Sequence, residues 1–325
     1  MDREVVKRLS YAHSTPHRGG RAMIRLIENA TGRIGLIRRG RDYARAKTEG
    51  SDMWSAITAR YGLSLDLASG TLSNIPAQGP VIVVANHPYG ILDGLMMGRI
   101  LAAGRAGEVR IMASHIFCDA PDLRDVILPI DFSETPSAVR ANLQTRAAAI
   151  DQLGRGGVIG IFPGGTVSTA PRPFGTPMDP TWRNFTAKMI ARSDATVVPI
   201  YFDGANSRLF QIASHIHYNL RVGLLIREFR TRIDRPVRVC IGDPIPNAAF
   251  HRFAGDAKGC MDFLRKATYD LSPGPVDAFA LGHEFEAKYK GRADGGGDFR
   301  QRVGRADNPS GDCGPDARSS LGVPW

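Results

Sequence analysis

Short, unbroken runs of apolar residues separated by longer stretches of mixed character set the pattern of this chain. Residues 81–85, 158–162, 196–202 and 237–241 are rich in Val and Ile with hardly a polar residue among them. Such runs suit strands covered on both faces rather than strands with one side in water. Residues 109–113 and 127–130 read the same way, and Leu63, Leu65 and Leu67 alternate as in a half-covered strand. Between these runs the apolar spacing becomes helical, which predicts helices over 92–101, 137–153, 182–192 and 220–229. In the second of these, Val139, Leu143, Ala147 and Ile150 fall on one side, the side expected to face the core. Helical signals return over 261–271 and 284–290. Alternating strands and helices predict an α/β domain with helices on both faces of its sheet.

The two ends differ from this middle. From Met23 onward, Met23, Ile27, Ala30, Ile34 and Ile37 recur at helical spacing, with Arg21, Arg25, Arg33, Arg38 and Arg39 at other angles, and a short second helix follows over 54–61. Residues 1–62 are therefore expected to form a basic amphipathic helical segment, 63–290 the α/β domain, and 291–325, dominated by Gly, Asp, Arg, Ser and Pro, a disordered tail. The net charge is +10, and residues 1–50 carry 12 Lys and Arg against 5 Asp and Glu, so the positive charge is local. A basic amphipathic helix suits either an anionic membrane surface or packing on its own domain. No aromatic stacking cluster, zinc finger or recognition-helix pattern accompanies the charge, so no nucleic-acid partner is expected.

No apolar run approaches the ~20 residues that a membrane-spanning helix needs, and no signal-like apolar region follows Arg3, Lys7, Arg8 and Arg18. The expected location is cytoplasmic. Cys118, Cys240, Cys260 and Cys313 have neither metal-ligand spacing nor the density of a disulfide scaffold and are expected to be free thiols.

Three segments carry candidate chemistry, and each follows a predicted strand. The first runs Asn86, His87, Pro88, Tyr89, Gly90 and on to Asp93 at a helix start. A histidine at the carboxyl end of such a strand sits where catalytic groups collect in open α/β sheets, and it can take a proton from an attacking alcohol or amine when a carboxylate holds its other nitrogen. His87 and Asp93 are the catalytic candidates. The second segment is Phe162, Pro163, Gly164, Gly165 and Thr166, whose glycine N–H groups can serve a phosphate or a developing oxyanion. The third enters a polar loop at Asp203 and Gly204. The three loops predict one rim, with Asn86, Pro88, Gly90, Phe162, Pro163, Gly164, Gly165, Thr166, Asp203 and Gly204 as candidate substrate-binding positions.

Other chemistries fit less well. The chain has no G-x-S-x-G for a serine hydrolase, and its glycine run at 154–160 precedes a strand instead of following one, unlike a dinucleotide loop. His215 and His217 lack a third ligand, so no metal is expected, and Cys118 has no activating partner in the sequence.

Together the segments NHPYGILD, FPGGTVS and VVPIYFDG resemble the motifs of the glycerolipid acyltransferase superfamily, which includes the lysophosphatidate acyltransferases, and in particular its haemolysin-like bacterial branch. The likeness covers about residues 76–246. It implies a mixed, largely parallel sheet, a hydrophobic acyl tunnel, an acyl-CoA or acyl-carrier-protein donor with no further cofactor, and direct transfer to a lysolipid hydroxyl in membrane lipid biosynthesis, with the protein peripheral on the cytoplasmic face of the inner membrane. Five residues separate His87 from Asp93, one more than the usual family spacing but shared with the haemolysin-like branch. Relatives that bind glycerol phosphate carry Glu and Arg where this chain has Gly164 and Val167, and an Arg often follows the position of Asp131, where this chain has Phe132. A lyso-aminolipid acceptor therefore stands beside a lysophosphatidate-like one. Arg172, Arg183 and Lys188 are candidate substitutes for the missing cations. The rival expectation is a non-catalytic lipid-binding protein that keeps the fold.

Overall fold

The computed structural model describes residues 10–15, 17–40, 52–105, 109–115, 121–131, 133 and 135–286. The expected tail, residues 287–290 of the last helical signal, and Cys118, Phe132 and Cys313 lie outside the described residues.

Seven strands form one sheet: β1 (Ser64–Ser69), β2 (Val81–Ala85), β3 (Val109–Ser114), β4 (Ile127–Ile130), β5 (Val158–Ile161), β6 (Thr196–Phe202) and β7 (Pro236–Ile241). Their order is β1-β7-β6-β2-β5-β3-β4. Every neighbouring pair is parallel except β6 with β7, so β1 and β7 run against the rest. β2 lies between β5 and β6, and its five residues are all buried, which is why its sequence is purely apolar.

The helices are α1 (Arg18–Thr31), α2 (Arg33–Arg39), α3 (Met53–Arg60), α4 (Ile91–Gly104), α5 (Pro121–Arg124), α6 (Pro136–Gly154), α7 (Phe185–Ile190), α8 (Arg208–Ile216), α9 (Tyr218–Arg230) and α10 (Ala257–Tyr269). One core layer joins Met96, Met97, Ile100 and Leu101 of α4 to Val81, Val83 and Val198 on one face of the sheet. A second joins Met261 and Leu264 of α10 to Ile82, Val84 and Val197 on the other. Helix α3 comes so close to α4 that a Cβ at Gly98 would collide with the Trp54 ring.

Two expected faces are corrected. In α6 the buried residues are Ala138, Thr145, Ala149, Gln152 and Leu153, whereas Val139 and Leu143 are 57% and 55% exposed. Polar groups hold this helix to the sheet: the Thr145 hydroxyl donates to Pro129 O at 2.7 Å, and the Asn142 amide donates to Asp131 O at 2.7 Å. The N-terminal helix breaks at Gly32, whose φ is 126°, and the covered residues of α1 and α2 are Ile24, Glu28, Arg33 and Leu36 rather than the expected stripe. Helix α1 packs on α9, where a Cβ at Gly223 would meet Ile27 at 3.1 Å. Buried Glu28 accepts from Ser10 Oγ and from Tyr11 N, each at 2.6 Å, and burial raises its carboxyl above the usual range. Helix α8 was not expected. Ser207 caps it, accepting from Phe210 N at 3.3 Å. The residues at 284–286 are not helical.

Substituting Gly98→Ala should cost about 1–3 kcal/mol in urea unfolding through overpacking against Trp54. Unchanged stability would mean that α3 does not rest on α4 there.

Candidate active site

The carboxyl ends of adjacent strands β6, β2 and β5 bring the three predicted loops together. Past β2 the chain turns at Gly90, whose φ of 91° and ψ of −117° are accessible only to glycine, and enters α4. This turn brings His87 Nδ1 within 2.9 Å of Asp93 Oδ2. The two atoms are in ion-pair contact, and the ring N–H is not aligned for a hydrogen bond. The same carboxylate oxygen accepts from Tyr89 N at 2.8 Å and Gly90 N at 2.9 Å. Burial raises the Asp93 carboxyl above its ordinary range, against the opposing pull of His87 and the two N–H groups. His87 stacks on Phe162, with ring centroids 4.3 Å apart, and its side chain keeps 19% exposure. With Nδ1 facing Asp93, Nε2 is the nitrogen left to exchange a proton.

A cavity of about 1020 Å³ opens beside this pair. Ile91, Leu95, Ile111, Leu123 and Trp54 give it an apolar wall on the α4 side, and Met112 of β3 and Val139 and Leu143 of α6 line it as well. The first half of the stripe on α6 thus borders a cavity instead of the core, while Ala147 is exposed to solvent. Of the predicted binding positions, Gly90, Phe162, Pro163, Gly165 and Thr166 line the cavity together with His87.

Asn86, Pro88, Gly164, Asp203 and Gly204 do not line it. Asn86 uses both ends of its amide on β6, donating to Phe202 O at 2.9 Å and accepting from Phe202 N at 2.7 Å. Gly164 packs against Asp179. Asp203 O accepts from the Tyr89 hydroxyl at 2.6 Å, and a Cβ at Gly204 would collide with that hydroxyl. Burial pushes the Tyr89 phenol up to about 12. The third loop therefore braces the first from behind. The Gly165 N–H is also not available to an oxyanion, because it closes a turn onto Phe162 O at 3.0 Å.

Several residues here were not anticipated. Asp179, fully buried, accepts from His87 N at 3.2 Å, from Trp182 Nε1 at 2.9 Å and from the Ser168 hydroxyl. Arg221 of α9 lines the cavity and donates through Nη2 to Thr166 Oγ1 at 3.0 Å and Val167 O at 2.9 Å. Among the candidate cations, Arg183 is engaged with Glu284 at 2.8 and 2.9 Å and Glu286 at 3.1 Å, Arg172 lies outside the cavity, and Lys188 is exposed at its rim. His215 contacts Ala170 O at 3.0 Å, while His217 caps α9 by accepting from Asn219 N at 3.1 Å. Cys240 and Cys260 are free and buried.

The arrangement defines an α/β protein whose histidine–carboxylate pair, at the end of a central parallel strand, opens onto a large and mainly apolar cavity. Residues 52–278 match the family model described as acyltransferase, and the chain belongs to the acyltransferase family. It is similar to two proteins named lyso-glycine lipid O-acyltransferase. The one from Phocaeicola vulgatus is 26% identical over 206 residues, covering 62% of this chain and 71% of that protein. The one from Bacteroides thetaiotaomicron is 26% identical over 212 residues, covering 62% and 73%. Among solved structures, the 1-acyl-sn-glycerophosphate (LPA) acyltransferase PlsC from Thermotoga maritima aligns with a TM-score of 0.42 and 17% identity, over 74% of this chain and 83% of that one.

Replacing Asn86 by Ala would leave the Phe202 N–H and C=O buried without partners, and should cost about 2–4 kcal/mol of unfolding free energy. A fall in turnover without a fall in stability would instead assign Asn86 to substrate binding.

Proposed function

We propose that this acyltransferase moves a fatty acyl chain from a thioester of CoA or acyl-carrier protein to the free hydroxyl of a lysolipid. His87 is the general base and Asp93 its orienting partner. The observation that carries this reading is the 2.9 Å approach of His87 Nδ1 to buried Asp93 at the wall of an apolar cavity. His87 Nε2 takes the hydroxyl proton as the acceptor oxygen bonds to the thioester carbonyl carbon. Asp93 fixes the ring and stabilises the imidazolium. Collapse of the tetrahedral species breaks the C–S bond, and the proton on His87 passes to the departing sulfur. Thr166 Oγ1 accepts from Arg221, which leaves its hydrogen to donate into the cavity.

The acyl chain belongs on the α4 side, against Ile91, Leu95, Ile111 and Trp54. An amino-acid-type lysolipid is the favoured acceptor, for two reasons. Gly164 and Val167 stand where phosphate-binding relatives carry Glu and Arg, and both curated relatives are named for a lyso-glycine lipid.

We further propose that the enzyme works as a peripheral protein on an anionic membrane, at the cytoplasmic face of the inner membrane. No helix among the described residues is long and apolar enough to cross a bilayer. The solvent side of α1 presents Arg18, Arg21, Arg25 and Leu26, the last 71% exposed, and α2 adds Arg38 and Ile34. Cations for anionic head groups, with apolar side chains between them, suit the interfacial layer.

His87→Ala should lower acceptor-dependent thiol release from an acyl thioester by about two to four orders of magnitude, with the fold intact by circular dichroism. Undiminished release would remove the dyad. For the membrane, Arg18→Gln, Arg25→Gln and Arg38→Gln together should weaken sedimentation with anionic vesicles roughly 100-fold, at about 1 kcal/mol for each charge removed, with the gap closing as salt rises. Equal sedimentation of variant and wild type at low salt would reject this surface as the docking face.

A further inference from the structure

Arg221 is an enclosed cation without a counter-ion. It is 4% exposed, and among the described residues no carboxylate forms an ion pair with it. The acids of the neighbourhood are committed elsewhere: Glu284 and Glu286 to Arg183, Glu28 to Ser10, Tyr11 and Arg33, and Asp93 to His87. Its own surroundings are aromatic, with the guanidinium carbon 5.1 Å from the Phe210 ring centroid and 4.3 Å from that of Phe285. Desolvation lowers its pKa to about 10, which still leaves it charged at neutral pH. A buried charge without a partner is costly; Arg265, equally buried, is met by three backbone carbonyls, whereas Arg221 meets one carbonyl and one hydroxyl.

The guanidinium has donors to offer. Nη2 is engaged with Thr166 and Val167, whereas Nη1 and Nε hydrogen-bond to nothing among the described residues and are not sealed from the cavity that Arg221 lines. A planar fork of this kind matches the two oxygens of a carboxylate or phosphate. The position also suits the reaction. Thr166 and Val167 continue the loop whose Phe162 stacks on His87, and a Cβ at Gly90, in the turn between His87 and Asp93, would touch Val167 at 3.3 Å and Leu225 at 3.4 Å. Leu225 lies one helical turn beyond Arg221. An anion on Arg221 is therefore held beside the dyad, on the α9 side of the cavity.

We propose that Arg221 binds the anionic head group of the acyl acceptor, a carboxylate or a phosphate, and so orients the acceptor hydroxyl toward His87. This rests on the acyltransferase reading above. The phosphates of a CoA or carrier-protein donor lie on a long arm outside the thioester, and suit the exposed cations Lys188 and Arg146 that also line the cavity. One enclosed guanidinium suits one compact charged head.

The test compares three acceptors with one acyl-CoA donor, scored by thiol release: N-(β-hydroxyacyl)glycine, its methyl ester, and a lysophosphatidate. Wild type should prefer one charged acceptor over the ester by about 100-fold or more in kcat/KM, and the charged acceptor that turns over names carboxylate or phosphate as the ligand. Arg221→Gln should lower kcat/KM for that acceptor by about 100- to 1000-fold and bring the charged-to-ester ratio close to one, with the KM for acyl-CoA within about 2-fold of wild type. Arg221→Lys, which keeps the charge but not the fork, should fall between. A ratio preserved in Arg221→Gln overturns the proposal, as does a wild type that uses the ester as readily as the acid. The wild-type ratio decides even if the variants fail to fold. Thiol release by wild type that no acceptor stimulates would instead reject the acyltransferase reading, a result distinct from either.

Discussion

Asp93 Oδ2 accepts from the backbone N–H groups of Tyr89 and Gly90 at the first turn of α4, and the His87 ring nitrogen Nδ1 stands 2.9 Å from the same oxygen. The corner between β2 and α4 is built around that carboxylate. A fully buried acid is unfavourable as an anion unless donors converge on it, and the turn through Gly90 supplies two from the backbone and brings His87 into contact. The pairing of His87 with Asp93 is thus fixed by the same bonds that start the helix. The imidazole has little freedom to leave, with Phe162 stacked on its face. What remains open is the ring edge carrying Nε2.

A second buried acid secures the backbone behind the first. Asp179 receives His87 N, Ser168 Oγ and Trp182 Nε1 on its side chain, and its own carbonyl accepts from Arg265 of α10 at 3.1 Å. Arg265 also donates to Ala278 O and Ala280 O, each at 2.6 Å. A segment late in the chain is in this way joined to the histidine loop through one residue, by the backbone carbonyl and the carboxylate of Asp179. The loop after β5 is held from the same side, with Ser168 N donating to His87 O at 2.8 Å. Asn86 completes the frame by joining the end of β2 to β6. These residues act through others: they hold the His87 loop still, while His87, Phe162 and Thr166 are among the residues that line the cavity.

The central strands were legible because burial on both faces leaves an almost purely apolar run, and β2, β5 and β6 fall within a residue of their expected ends. The contact between His87 and Asp93 was legible because a short turn between a strand end and a helix start leaves the two side chains little choice but to meet. Periodicity could not say what an apolar stripe faces, and Val139 and Leu143 show why: a stripe lining a cavity has the same spacing as one packed in a core, while Thr145 and Gln152 face the sheet through hydrogen bonds and close packing. The partners of Asn86 and Asp203 were not legible for a related reason, since a polar residue in a loop motif can face a ligand or the neighbouring strand, and Asn86 bonds to β6. Arg221 and Asp179 carried no local signal. Each owes its position to contacts far along the chain, although an arginine between Leu220 and Val222 of a buried helix, and an acid beside Pro180 and Trp182 in an apolar stretch, are the irregularities by which such residues can be noticed.

Helix α9 joins the two surfaces that the proposed reaction needs. On one side it receives α1, with Gly223 allowing Ile27 to approach closely, and α1 carries the exposed arginines. On another, Arg221 and Leu225 reach the cavity and the loop around Gly90. Glu228 fixes the helix further down, accepting from Ser207 N at 2.8 Å and Ser207 Oγ at 2.7 Å and pairing with Arg227 at 2.9 Å. A helix tied at so many points offers a preformed cation, so little conformational freedom is lost when an anion binds to it. If α1 rests on a membrane, the head-group site lies one helix away from that surface, and an acceptor drawn from the lipid layer has a short path from the interface to the imidazole.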